Sequence, residues 1–175
     1  MEHTASQLSE QGISAFQSRS YEEAADLFQQ AAAAYKKNDK PLDAAEALNN
    51  LSVVLVKLKR AEEALEAVDG TEKLFEEAGD IKRQAMALGN KAAALERLGN
   101  TDEAITLYEE SVKLFHEIGE EDMKTAALQA ISDIKLLKGN LSGTALDAVD
   151  ALISNPKPNF IQKILKFILR RFAKL

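Results

Sequence analysis

Apolar residues along this chain recur every three or four positions instead of every two. Between 42 and 58 they include 44, 45, 48, 51, 55 and 58, and between 61 and 78 they include 64, 65, 68, 74, 75 and 78. Both spacings suit the 3.6-residue turn of an α-helix, so two amphipathic helices are predicted here. Glycines at 79, 99, 119 and 139 fall at twenty-residue steps, where a helix end favours a residue that tolerates positive φ. One helix and one turn therefore take about twenty residues. Alanine-rich stretches such as AADLFQQAAAA favour helix intrinsically and let helix backbones approach closely. No stretch reads convincingly as a strand, and the expected fold is all-α.

Sliding the sequence against itself gives a period of 40 residues. The segments SYEEAADLFQQAAAAYKKNDK, RAEEALEAVDGTEKLFEEAGD and NTDEAITLYEESVKLFHEIGE align, and NLSGTALDAVDALISNPKP aligns more weakly. Ala24, Ala64 and Ala104 keep the interval, as do Glu23, Glu63 and Glu103, and Leu48, Leu88 and Leu128. Gly12, Ser52, Ala92 and Ser132 keep it too, and all four are small. A small residue in one helix and an alanine twelve positions later in the next share a physical reason. Where antiparallel helices cross closely, a larger side chain at either site would hold them apart and open voids.

Gly12 with Ala24, Ser52 with Ala64 and Ala92 with Ala104, each followed by Phe28, Val68 or Tyr108, resemble the signature of tetratricopeptide (TPR) repeats. Leu48, Leu88, Leu51 and the turn glycine Gly99 add to the match. The period is longer than the usual TPR length, the fourth unit needs one inserted residue to bring Ala145 into line, and the frequent repeat-end proline is missing. HEAT-like helix pairs, which also run near 40 residues, stay open as the alternative. The resemblance implies an α-solenoid of about four helix-turn-helix repeats over 1–155, in units at about 4–38, 41–79, 81–119 and 121–154.

In TPR proteins the first helix of each pair lines a concave face that binds a peptide or helix. Carried over, that face here would include Ser9, Ile13 and Phe16; Asn49, Asn50, Val53 and Lys57; Met86, Asn90, Ala93 and Arg97; and Gln129, Asp133 and Leu136. Side-chain amides in such a groove could hydrogen-bond the backbone of an extended peptide, and Asn50 and Asn90 sit one repeat apart for that role. Helix-surface asparagines bonded to water or a nearby turn are the alternative. The carboxylate clamp of chaperone-binding TPR proteins is mostly absent, since Ser9, Ile13 and Met86 occupy its positions and only Asn90 fits. Lys57 and Arg97 could meet an acidic ligand or simply be solvated cations.

Composition narrows the function further. The chain has 175 residues, no cysteine and two histidines, so thiol chemistry is excluded and metal or acid–base sites are poorly supplied. His3 lies at the terminus, and His116 falls near a helix end, where a cation is favourable against the dipole. The pairs Glu22-Glu23, Glu62-Glu63 and Glu109-Glu110 suit helix starts and solvated faces better than catalysis. No glycine loop of phosphate-binding spacing is present. The expectation is a non-enzyme with no cofactor and no metal; it is cytoplasmic, because no secretory signal is evident, with membrane association as the alternative. All 28 acids lie before Pro156 with 16 of the 22 cations, leaving that body at −12 and arguing against nucleic-acid binding.

The remaining cations sit in 156–175, read as a hinge at SNPKPN followed by a helix capped by Asn159. At 100° per residue Ile161, Ile164, Leu165, Ile168, Leu169, Phe172 and Leu175 fall within about 140° of arc. Gln162, Lys163, Lys166, Arg170, Arg171 and Lys174 fill most of the remainder, with no acid among them. Burying that face is worth roughly 10–20 kcal/mol before ordering costs, so it seeks a cover. Three covers compete: the fourth repeat, which the tail would cap; an anionic membrane or acidic partner, met by the cations; or a second copy, giving a homodimer by tail exchange.

Overall fold

The backbone turns every twenty residues, and six of these turns share one construction. The computed structural model describes the backbone of residues 4–154 and the side chains of residues 4–139. In it Arg19, Asp39, Lys59, Gly79, Gly99 and Gly119 all adopt left-handed backbone, with φ between 56° and 83°. Each donates its N–H to the carbonyl three residues back, and the residue after it donates to the carbonyl five back, the latter at 2.8–3.0 Å. Those bonds satisfy carbonyls that a helix end leaves open. Glycine marked three of the six sites in the sequence. The other three use Arg, Asp and Lys, which only the fold forces into this conformation.

Between the turns lie eight helices among the described residues: α1 (Ala5–Gln17), α2 (Tyr21–Lys37), α3 (Pro41–Lys57), α4 (Ala61–Val68), α5 (Thr71–Glu77), α6 (Ile81–Arg97), α7 (Thr101–Glu117) and α8 (Glu121–Ser154). No described residue is in a strand. The fold is all-α, and α1/α2, α3/α4–α5 and α6/α7 form the repeated pairs of an α-solenoid. The chain divides into two units between Ile134 and Lys135. The first contains α1 to α7 and the opening turns of α8; the α8 backbone passes into the second. Residues 155–175, including the tail positions Ile161, Lys163, Ile164, Leu165, Lys166, Ile168, Leu169, Arg170, Arg171 and Phe172, lie outside the described residues.

The pairs cross through the small residues. Ala24, Ala64, Ala104, Ser52 and Ala92 are each 0% exposed. At Gly12 a Cβ would stand 2.9 Å from a ring carbon of Phe28, itself fully buried, so the first pair closes only because no side chain is present. A second row at the same interval, Ala31, Thr71 and Ser111, is buried as well. Ser111 Oγ donates to the Ala85 carbonyl at 2.8 Å and ties α7 to α6. Ala92, Leu95, Ala104 and Tyr108 form one core with Ala127, Ile131 and Ile134, which seats the start of α8 on the third pair. Burial pushes the Tyr108 hydroxyl up from its ordinary pKa, helped by Glu96, to which it donates at 3.3 Å.

Two elements depart from the sequence reading. The helix expected over 61–78 is broken: Asp69 is extended and Gly70 has φ 77°, so α4 stops at Val68 and α5 restarts at Thr71. Thr71 Oγ bonds the Val68 carbonyl at 2.7 Å across the break. Lys91 of α6 holds both sides, its Nζ 2.7 Å from Asp69 and 3.2 Å from Glu72. Thr71 keeps its place in the buried row, so register survives the break. The turn expected at Gly139 is absent, because α8 runs unbroken for 34 residues through Gly139 and Gly143. Each of those glycines makes helix about 1 kcal/mol less favourable than alanine would.

Two substitutions test this construction by urea unfolding at unchanged m. Lys59→Gly removes a left-handed lysine and should raise stability by about 0.5–1 kcal/mol, the strain relieved less the extra freedom of the unfolded glycine. Gly12→Val should lower stability by about 1–3 kcal/mol, with part of the loss recovered when Phe28→Leu is added.

Candidate functional site

The face made by the first helices holds one hollow in which predicted residues meet. It measures about 330 Å³ and is lined by Glu46, Asn49 and Asn50 of α3, Phe75 of α5, and Asp80, Lys82, Arg83 and Met86 at the start of α6. The break in the second pair contributes to it directly, since α5 brings Phe75 to the α3–α6 valley. Phe75 is fully buried against Ala45, Val68 and Ala87. Above its ring stands the Arg83 guanidinium, 4.9 Å from the centroid, a cation–π contact.

Arg83 organises the rim. Its Nε donates to Asp80 at 2.7 Å and its Nη1 to Glu46 at 3.0 Å, bridging the first helices of two repeats. Burial works against its charge, but the bonds to Asp80 and Glu46 prevail and hold its pKa above the ordinary value. Asp80 caps α6, accepting the Arg83 backbone N–H at 2.9 Å. That backbone bond, assisted by the guanidinium and opposed by burial, holds the Asp80 carboxyl below the usual carboxylate range. Lys82 is drawn to Glu120 at 2.5 Å.

The predicted groove residues separate into three groups. Asn49 lines the hollow with little of its surface open: it is 6% exposed, its Nδ2 donates to the Ala45 carbonyl at 3.2 Å, and its Oδ1 accepts from Asn90 Nδ2 at 3.3 Å. It shares a helical stripe with Ala45 and Ser52, the side of α3 that meets α6. Asn90 is thereby engaged in a cross-repeat amide pair and is only partly available. Asn50 and Met86 are half-buried and share the hollow, and the Asn50 side chain makes no hydrogen bond to another described residue. Val53 and Ala93 are half-buried and Lys57 and Arg97 exposed on the same two helices, beyond the residues that line it. In α1 Ile13 is exposed and Phe16 packs on Tyr21; in α8 Gln129 bonds Asp133 at 2.7 Å.

Sequence reading missed Glu46, Phe75, Asp80, Lys82 and Arg83. The Asp80 to Arg83 spacing was an available signal, since an acid three residues before a basic residue at a helix start suits a cap. Phe75 was not foreseeable here, because an unbroken helix was expected around it.

Crossings through small residues and a first-helix face make this a helical-repeat protein of the TPR type. A crystal structure of a TPR-like protein from Chlorobium tepidum superposes with a TM-score of 0.64 at 22% identity, over 75% of this chain and 94% of that one. The family model for soluble NSF attachment proteins (SNAP) matches residues 3–156, and the chain belongs to that family. No curated protein matches it in sequence. Among the described residues no helix is long and apolar enough to cross a membrane.

Asp80→Ala tests the rim. Losing the cap should lower stability by about 1 kcal/mol at neutral pH. A carboxyl with a lowered folded pKa stabilises above its unfolded value, near 4, and stops doing so as pH falls through the folded one. Paired urea titrations should therefore show a constant gap between wild type and variant above about pH 5, shrinking below about pH 4.

Proposed function

We propose that this chain is a non-catalytic scaffold that holds a peptide or helix of a protein partner on its first-helix face, centred on the hollow between α3 and α6. One observation carries this reading: Asn50, half-buried beside Met86 and Phe75, keeps an unbonded amide at the edge of an apolar depression. A partner side chain buried there removes apolar surface from water, while the amide pairs with backbone that would otherwise be desolvated without a bond. Arg83 and Lys82 are already engaged by Glu46, Asp80 and Glu120, so they frame the depression instead of binding an anion outright. Val53, Lys57, Ala93 and Arg97 extend the contact along the same helices. The family is described by attachment to NSF, which makes NSF a candidate partner.

A second reading rests on the sequence of 156–175, whose one-sided apolar pattern and six cations suit an anionic lipid surface. In it the tail tethers the scaffold; otherwise the tail caps the last repeat or exchanges between copies.

For the first reading, a peptide selected for binding to the wild-type chain should lose at least about tenfold in affinity to Asn50→Ala or Met86→Ala, read by calorimetry. Glu76→Ala, away from the hollow, should leave it unchanged; equal binding by all three variants would rule the hollow out. For the second, flotation with anionic vesicles should depend on residues 157–175 and weaken with salt.

A further inference from the structure

The second helices of the repeats differ from the first in charge, and a groove opens between two of them. Helices α2, α4, α5 and α7 hold fourteen acids and four cations, a net −10, whereas α1, α3 and α6 hold four acids and five cations, a net +1. Between α2 and α4 lies a groove of about 380 Å³. Leu48, Leu51 and Leu55 of α3 form its floor, and small residues of α2, Ala25, Ala32 and Ala33, keep one wall thin.

The next interval of the repeat shows what is missing here. Forty residues on from Gln29, Ala32 and Leu51 stand Asp69, Glu72 and Lys91. There Lys91 Nζ lies 2.7 Å from Asp69 and 3.2 Å from Glu72, an ion clamp that ties the second pair to α6. In the first interval every member of that clamp is uncharged, so the floor stays apolar and no salt bridge crosses it. Ala25 and Ala33 widen the opening, since Leu65 and Lys73 hold those places one repeat later.

The rim selects the occupant. Asp26 on one wall and Glu66 on the other stand one repeat apart, both exposed, and neither makes a hydrogen bond or salt bridge to another described residue. Arg60, the cation near Asp26, is already held by Glu63 at 2.6 Å through both Nε and Nη2, and by Glu22 at 3.5 Å. Lys36 lines the groove ten residues further along α2, about 15 Å from Asp26 along the helix. An anionic occupant would meet the field of the acidic second helices, while a cation set between Asp26 and Glu66 gains two partners. We propose that this groove is a docking surface for a basic amphipathic helix of a partner protein. Its apolar stripe lies on Leu48, Leu51 and Leu55, and its lysines or arginines reach Asp26 and Glu66. The groove shares no lining residue with the hollow between α3 and α6, so the two surfaces can be tested apart.

The probe is a short synthetic amphipathic helix of leucine and lysine, added to the full-length chain at low salt and followed by calorimetry. It should bind, and versions with glutamate for lysine or serine for leucine should bind at least about tenfold more weakly. Asp26→Lys with Glu66→Lys should lower affinity by at least about tenfold, and so should Ala33→Phe, which fills the groove from its exposed wall. Circular dichroism checks that both variants fold, and the charge pair, being on the surface, reads the site independently of Ala33. Glu103→Lys with Glu110→Lys makes the same change of net charge on α7, and Met86→Ala alters the first-helix hollow; each should leave affinity within about threefold. Equal losses from the two charge reversals overturn the proposal, because the acidic helices would then attract cations without a site. A tenfold loss with Met86→Ala overturns it in favour of the hollow. A chain that does not bind the leucine–lysine helix overturns it as well, the result expected if its own basic tail fills the groove.

Discussion

Everything in this molecule depends on two helices approaching each other where one of them has almost no side chain. Gly12 meets the Phe28 ring, and Ser52 and Ala92 take the same place in the later pairs against Ala64 and Ala104. Interiors are packed to near-crystalline density, so an added methyl at such a point displaces helices instead of filling a gap. The crossing is fixed by volume, and volume repeats because the residues do. Once each pair is closed, adjacent first helices lie side by side, and only then can Arg83 of one reach Glu46 of the next, or Asn90 reach Asn49.

The break at Asp69 and Gly70 shows how one local irregularity becomes a surface feature. A continuous helix would carry residues 61–77 past α6 in one direction. The break lets α5 set out again, with Thr71 kept in the buried row and Phe75 delivered beneath Arg83. Lys91 secures the kink from the neighbouring repeat, its charge held above the ordinary lysine pKa by Asp69 and Glu72 against the opposing effect of burial. The hollow proposed to receive a partner is thus assembled from three helices and exists through their packing, with no single segment encoding it.

In α8 local and tertiary instructions conflict. Gly139 and Asn140 repeat the turn pair of Gly99 and Asn100, while the backbone remains helical. A turn of this kind gains its stability from what the next helix packs against, and a glycine alone only permits it. Here the glycine permits a turn that the helix does not take, and Leu136 and Leu137 stay exposed along it.

By itself the sequence determined the all-α class, the 40-residue repeat, the small-residue crossings and the glycine turns at 79, 99 and 119, because each depends on side-chain volume or backbone freedom at fixed spacing. It also brought Asn50 and Met86 forward, since the repeat places equivalent residues on one face. Left-handed Arg19 and Lys59, the broken second pair, the withdrawal of Asn49 into the α3–α6 contact and the unbroken α8 were decided only by tertiary structure. Each is a case in which a residue's own preference is weaker than the packing around it. Periodicity records which side of a helix is apolar, but which neighbour meets that side, and where a helix gives way to keep the meeting close, is settled by contacts between segments far apart in the chain.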